Sequence, residues 1–194
     1  MPKLLLLLSC WFIASGSICQ APPAAFSDTP TITVTSVGKA RLGMSEVQLK
    51  TLYVGCSFAP VHLLQFGFDD TDQKPNGIAV SHNKQRLFIY FLDWQTKKRI
   101  AGLLAFHPAY KTASGVHAGS TVSALKAAVP KVQVVPNMML PAFQIAFAGR
   151  IGNNSIEYIF YKQNDLGKYE VADEPVPLTR SNAKIAWLQI RTNP

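Results

Sequence analysis

Hydrophobic positions along this chain follow two spacings, one typical of strands and one typical of helices. Ile32 and Val34 alternate with threonines, which predicts a short strand. Apolar residues at helical spacing after Ser45 and after Thr121 predict two short helices. Four runs with the pattern of strands follow each helix, at 62–68, 77–81, 86–92 and 99–106, and at 132–135, 143–147, 155–162 and 184–190.

The two predicted helices begin with capping signals. Ser45 can accept a hydrogen bond from the third helical N–H while Gln48 reaches back to the cap, which is a capping box. Thr121 can cap the second helix, but Ala124 replaces the glutamine, so we expect this cap to be weaker. Each helix runs for only ~10 residues, a length that is marginal in isolation, so each must pack an apolar stripe on a sheet.

Both helix starts belong to an internal repeat. Gly43–Lys50 matches Gly119–Lys126 at an offset of 76 residues, Leu87–Leu92 matches Ile156–Tyr161, and Arg99–Ala101 matches Lys184–Ala186. The offset changes only in predicted loops, as expected for a duplicated unit that later diverged. We therefore predict an α+β fold of two tandem modules, 32–109 and 110–194, each a short helix packed on an antiparallel β-sheet. Residues 163–183 of the second module are predicted to form an inserted surface loop.

The first 21 residues have the pattern of a secretory signal peptide. Lys3 precedes an apolar run, 4–14, and small residues follow it. A retained membrane anchor is one alternative, although the run is shorter than the ~20 apolar residues needed to cross a bilayer. Lipidation at Cys19 is another, although Ile18 stands where a small residue is expected. We predict removal of residues 1–21, a flexible lead at 22–31, a periplasmic or secreted location, and no stable membrane insertion afterwards.

Composition limits the classes of partner and of stabilising chemistry. The chain has a net charge of +8 and three cysteines, of which Cys56 alone lies outside the predicted signal. An internal disulfide is therefore not expected, and the hydrophobic core must stabilise the fold. The evenly spread positive charge favours anionic partners, although it can also serve solubility alone. No aromatic and basic platform for nucleic acid stands out, so we expect no nucleic-acid partner.

Few residues point to catalysis or metal binding. Cys56 with His62 could form a nucleophile and base, but no third, orienting group is evident. The four histidines lack metal-ligand spacing. The 69–72 segment, followed by Asn76-Gly77, faintly resembles a calcium loop, but Lys74 and Pro75 stand where ligands are needed, which favours a polar turn. We expect no catalytic residue, no metal and no cofactor.

The predicted hairpin 93–99 is the most suggestive surface feature. It places Trp94 beside Lys97, Lys98 and Arg99, and aromatic and cationic residues are common at binding hot spots. The alternative is that Trp94 folds back over its own strands. We predict that Trp94, Lys97, Lys98 and Arg99 bind a partner, together with Tyr169 of the inserted loop.

The repeat resembles two families of bacterial envelope proteins. The Gly-Met-Ser-x-x-x-Leu helix start at 43–49 is similar to the opening of the outer-membrane assembly lipoproteins of the small-protein-A/BamE type. The tandem plan resembles the secreted β-lactamase-inhibitor proteins, whose modules carry disulfides that Cys56 alone cannot form. The resemblance implies the architecture and a protein-binding sheet, and it implies no functional residue.

These observations predict an exported, non-enzymatic binding or inhibitor-like module of the bacterial envelope. Its expected partner is a protein or an anionic envelope component. The alternative is a hydrolase that acts on an envelope polymer, with catalytic groups from His62, His107 and the 69–72 loop. Titratable groups that converge on one cleft would favour the enzyme, whereas an open sheet face or a loop rim with aromatic side chains would favour the binding module.

Overall fold

A computed structural model describes residues 28, 30–68, 74–136, 141–149, 155–162, 166–167, 174–179 and 182–192. Within these ranges the strands are β1 (Thr31–Ile32), β2 (Ser36–Val37), β3 (Ala40–Arg41), β4 (Ser57–Val61), β5 (Gly77–His82), β6 (Gln85–Leu92), β7 (Ile100–Ala105), β8 (Lys111–Thr112), β9 (Gln133–Pro136), β10 (Phe143–Phe147), β11 (Glu157–Tyr161), β12 (Val176–Pro177) and β13 (Trp187–Arg191). The helices are α1 (Glu46–Leu52), α2 (Val122–Ala128) and a 3-10 turn (Leu63–Phe66).

The strands form two sheets. The larger sheet has nine antiparallel strands in the order β12-β9-β10-β11-β13-β7-β6-β5-β4. The smaller sheet has the order β3-β2-β1-β8, and its β1–β8 pair is parallel. In the larger sheet, β4 to β7 follow α1 along the chain, whereas β9, β10, β11 and β13 follow α2.

The predicted fold class, an α+β fold of two helix-on-sheet modules, is wrong. The last strands of the two runs, β7 and β13, pair from Gly102 to Ala105, so both runs belong to one continuous sheet. The helices have only seven residues each, and short strands near Thr31 and Lys111 add a second sheet. The protein is therefore a β-rich fold of two sheets. Period-two patterning predicts strands, but it does not say which strands pair.

One strand prediction also fails. The 62–68 segment forms the 3-10 turn instead, because Gly67 adopts a left-handed conformation and its N–H closes the turn on Leu63 and Leu64. The strand of this region is β4, which lies just before it and contains Pro60. Proline lacks the N–H that a central strand needs, and β4 is accordingly an edge strand of the larger sheet. The opposite edge strand, β12, contains Pro177.

The helices and the small sheet cover one face of the larger sheet. Leu49 and Tyr53 of the first helical region, Val122 and Leu125 of α2, and Ile32 of β1 are all at most 2% exposed and belong to one core. The 3-10 turn lies on the other face, where Phe66 packs edge-on against Trp187. Both faces of the sheet are therefore at least partly covered.

The predicted capping signals are confirmed. Ser45 and Gln48 form the reciprocal capping box, and the Thr121 side chain accepts from the Ala124 N–H. Equivalent backbone bonds also hold both helix starts: Gly43 N–H donates to Ile100 O at 2.8 Å, and Gly119 N–H donates to Ile185 O at 2.7 Å. The superposition of 32–109 on 110–194 stays a prediction.

The N-terminal predictions fall largely on residues outside the described ranges, which include 1–27. Three residues of the expected lead are nevertheless held by the fold: Thr31 belongs to β1, Pro30 accepts a hydrogen bond from Lys111 N–H, and Asp28 binds two tyrosines. The folded domain thus includes Asp28. Among the helices that the structure describes, none combines the length and the apolar character that crossing a bilayer requires.

Candidate functional site

The hairpin that joins β6 to β7 is fixed by its own hydrogen bonds. Asp93 N–H donates to Arg99 O at 2.7 Å, and Lys97 N–H donates to Asp93 O at 2.8 Å. The Asp93 carboxylate accepts from both the N–H and the hydroxyl of Thr96, each at 2.7 Å. These bonds, first of all the one from the Thr96 hydroxyl, lower the pKa of Asp93, so its carboxylate is ionised at neutral pH.

Lys97 has a φ of +52°, in the left-handed region that side chains other than glycine and asparagine avoid. This conformation costs about 1 kcal/mol, and three other turn residues, Asn83, Lys84 and Lys131, adopt it as well. The Asp93 bonds offset the strain locally. Side-chain as well as backbone hydrogen bonds therefore support the turn of this hairpin.

Trp94 projects from this hairpin into solvent. Its side chain is 66% exposed, whereas Trp187 in β13 is 1% exposed. Trp94 therefore does not fold back over its own strands, which was the alternative to a binding role. A large aromatic side chain left in water on a rigid turn is an unusual feature for a protein surface.

Three cations accompany Trp94, as the sequence indicates. Lys97, Lys98 and Arg99 are all exposed. The Arg99 guanidinium also donates to Gly43 O at 3.3 Å, so the hairpin touches the segment that starts α1. We call Trp94, Lys97, Lys98 and Arg99 the hairpin surface.

Tyr169, the fifth predicted binding residue, lies outside the described residues. Part of its loop is described: β12 pairs with β9 at the edge of the larger sheet. Four strands, β9, β10, β11 and β13, separate β12 from β7, which corresponds to ~24 Å at a spacing of ~4.8 Å per strand. The strand of the inserted loop, β12, is thus far from the hairpin surface.

The structure separates the residues of the predicted catalytic alternatives. Val61 lies level with Gly102 of β7 in the strand register, so His62 and His107 are about six residues apart along the strands, or roughly 20 Å. Both ring nitrogens of His107 are hydrogen-bonded: Nε2 lies 3.0 Å from Gln85 Oε1, and Nδ1 accepts from the Ala109 N–H. The 69–72 segment lies outside the described residues.

Cys56 and His62 are also apart, because the whole of β4 lies between them. Burial, and to a smaller extent the nearby Asp28, raises the pKa of the Cys56 thiol, which disfavours the reactive thiolate. In the described parts of the chain, no group of three or more His, Cys, Asp or Glu side chains is arranged to hold a metal ion.

A cluster of hydrogen bonds around the carboxylate of Asp28 lies at the N-terminal end of the domain, and the sequence analysis did not predict it. Asp28 accepts hydrogen bonds from the hydroxyls of Tyr53 and Tyr110, and from the Lys39 N–H at 2.9 Å. Both tyrosines are at most 3% exposed. Burial, followed by the bond to Asp28, raises the pKa of each phenol well above its usual range. The phenols are therefore neutral donors that hold Asp28, and the cluster acts as a clamp.

A second polar group lies on the face of the larger sheet opposite the helices. Glu157 is 0% exposed and accepts from Gln189, which also binds the Trp187 N–H at 3.2 Å. Arg191 contacts Glu157 at 3.4 Å while about a third of its side chain remains exposed. The strand pattern alone would place an apolar residue at position 157, so this buried pair could not be predicted from the periodicity.

Comparisons with protein-family models, with characterised proteins and with solved structures gave no match to this chain. The resemblances inferred from the helix starts and the tandem plan therefore stay expectations. The function has to be argued from the geometry of the residues above.

Proposed function

We propose that the protein is an exported, non-enzymatic binding module of the bacterial envelope that docks through its hairpin surface. The observation that carries the proposal is Trp94, which is 66% exposed at the turn of a hairpin that its own hydrogen bonds fix. The N-terminal signal pattern supports export. The resemblance of the helix starts to envelope families supports the location.

Covering Trp94 could supply much of a binding free energy. A tryptophan can bury up to ~250 Å², and two thirds of that area at ~25 cal/mol per Å² is about 4 kcal/mol as an upper limit. Because Asp93 and Thr96 already hold the turn, little backbone freedom is lost on binding. A tryptophan that becomes buried on binding is typical of a hot-spot residue.

The sheet edges favour docking through a loop over docking by strand addition. An exposed edge can accept a strand from a partner through its free N–H and C=O groups. Pro60 in β4 and Pro177 in β12 remove an N–H from each edge. A partner therefore gains more from the hairpin than from either edge.

No observation on the described residues supports the hydrolase alternative. Its catalytic groups include His62 and His107, and the roughly 20 Å between them along the strands prevents both from acting on one bond. We therefore keep the binding module as the single proposed function.

Affinity capture with matched baits tests the proposal. The exported protein, the Trp94→Ala variant and the Val34→Ala variant are immobilised and exposed to solubilised envelope. Val34 is an exposed apolar control in the turn between β1 and β2, at 41% exposure. We expect a saturable component retained by the parent and by Val34→Ala, and bound at least 30-fold more weakly by Trp94→Ala, which corresponds to about 2 kcal/mol.

Two results would contradict this function. One is a captured component that all three baits bind equally well while each stays folded. The other is release of soluble fragments from an envelope polymer by the parent protein, with loss of that activity in His62→Ala or His107→Ala.

A further inference from the structure

The hairpin surface has the composition of an interface with an anionic lipid headgroup layer. Tryptophan prefers the boundary between headgroups and acyl chains, where its ring is apolar and its N–H remains hydrated. Lysine and arginine near such a layer bind phosphate groups. Trp94, Lys97 and Lys98 stand within five residues of one turn, and all three are exposed.

The charges of the hairpin complement such a layer. The hairpin carries three cations and one carboxylate, Asp93, whose oxygen already accepts two bonds from Thr96. The full chain carries a net charge of +8, of which the predicted signal peptide contributes only the one charge of Lys3, so the long-range field of the exported protein also attracts an anionic surface. Salt-dependent attraction is therefore expected before any close contact forms.

The side chains of the hairpin surface favour a lipid layer over an acidic protein. Trp94 is its one large apolar side chain, and the three cations follow within five residues. A protein partner would need a pocket shaped to this ring, with acidic groups placed beside it. A fluid headgroup layer accepts the ring without such a match, because its molecules rearrange around the side chain.

We propose that the hairpin surface binds phosphate-bearing, anionic phospholipids of the envelope, reversibly and without insertion of a helix. This inference rests on the proposed function and names the partner of the same site. Trp94 enters the headgroup boundary, while Lys97, Lys98 and Arg99 bind lipid phosphates. Each cation near the surface contributes about fivefold in affinity, so the three together contribute about 100-fold.

Intrinsic fluorescence gives a direct test of lipid binding. Beyond the predicted signal peptide the chain has two tryptophans, Trp94 and Trp187, and Trp187 is 1% exposed. The exported protein, expressed from the full chain, is titrated with vesicles of 30 mol% phosphatidylglycerol in phosphatidylcholine, and with vesicles of phosphatidylcholine alone. We expect a blue shift and co-sedimentation with the anionic vesicles, both weakened as salt rises from about 10 to 150 mM.

Charge-matched variants localise the effect. Lys97→Gln with Lys98→Gln should weaken binding to anionic vesicles about 25-fold, because two contributions of about fivefold are lost. Lys111→Gln with Lys162→Gln removes the same charge from exposed sites on β8 and just after β11, and should change binding less than threefold. Trp94→Ala should abolish the blue shift, whereas Val34→Ala should leave it unchanged.

Three outcomes overturn the lipid inference: no association with anionic vesicles, equal association with uncharged vesicles, or equal weakening by the two lysine pairs. If the capture experiment nevertheless retains a protein that depends on Trp94, the proposed binding function stands and its partner is that protein. If Trp94 affects neither experiment, the binding function fails together with the lipid inference. Circular dichroism of every variant separates these results from unfolding.

Discussion

Removal of the Asp28 carboxylate tests whether the clamp anchors the N-terminal segment to the domain. The carboxylate joins three parts of the chain, because Tyr53 follows α1, Tyr110 precedes β8, and Lys39 lies between β2 and β3. Gly38 closes the site from one side, since a Cβ atom there would collide with the carboxylate. Asp28→Ala removes all three bonds while adding no bulk.

The expected loss of stability follows from these contacts. A hydrogen bond to a charged group contributes about 1.5–3 kcal/mol, so three bonds set an upper limit near 5–9 kcal/mol. Two features reduce this value: Asp28 is only partly buried, and the Tyr53 hydroxyl can turn to Val37 O at 3.4 Å. We expect Asp28→Ala to cost about 3 kcal/mol, with one buried phenol left poorly bonded. The melting temperature should fall by roughly 10 °C for a chain of this size.

Urea denaturation followed by circular dichroism measures this cost. Tyr110→Phe, which removes one donor, should cost about 1–2 kcal/mol, and little more when it is added to Asp28→Ala, because both changes break the same bond. Asp93→Asn is the matched control, since that aspartate also accepts two hydrogen bonds but lies on an exposed hairpin. A cost below about 1 kcal/mol for Asp28→Ala, or full additivity with Tyr110→Phe, would refute the clamp.

Three further results are expected. Burial raises the pKa of Tyr53, Tyr90 and Tyr110 above the usual range and that of Tyr158 to about 12. The free energy of unfolding is therefore fully present below pH ~10 and should fall by about 5 kcal/mol per pH unit above it, because only the unfolded chain releases these four protons there. Equal urea midpoints at pH 9 and pH 11 would contradict this. Arg191→Met should lower the free energy of unfolding by about 1–3 kcal/mol, because it removes the cation beside buried Glu157. Glu157→Gln, added to Arg191→Met, should recover part of that loss in the same denaturation assay, and a loss below about 0.5 kcal/mol for Arg191→Met would argue against the pair. Cys56 should react with a thiol reagent at least ~10-fold more slowly in the native protein than in urea at pH 8, and equal rates would count against the raised thiol pKa.

Local chemistry explains which elements the sequence predicts correctly. The capping box at Ser45 and the Thr121 cap depend on residues three positions apart, and both form as expected. Strands β6 and β11 match the predicted runs 86–92 and 155–162 to within two residues at each end, because β-branched and aromatic residues dominate them. These features need no knowledge of distant contacts.

The failures share a long-range cause. The pairing of β7 with β13 joins residues more than 80 positions apart, and the sequence of neither strand identifies the strand with which it pairs. Asp28 lies in a Pro/Ala-rich segment without periodicity, and its tyrosine partners are 25 and 82 residues away. The exposure of Trp94 and its three cations could be anticipated because they are neighbours in sequence on one short hairpin, whereas their role in binding stays a prediction. Tyr169 was added to these residues from the inserted loop alone, and the strand of that loop, β12, pairs with β9.

The two strand runs differ most in the connection before their last strand, which is β6 to β7 in the first run and β11 to β13 in the second. The candidate binding surface lies on the first of these connections. Between β6 and β7 the connection is the hairpin 93–99, which leaves Trp94 66% exposed. Between β11 and β13 the chain instead returns to the far edge of the sheet, where β12 pairs with β9. Strand pairing satisfies backbone groups of the second connection, whereas the backbone N–H groups of Asp93 and Lys97 in the first donate within the turn itself. A hairpin with such internal turn bonds can change its exposed side chains without disturbing the sheet, so it is the connection on which a binding surface can arise at the lowest cost in stability.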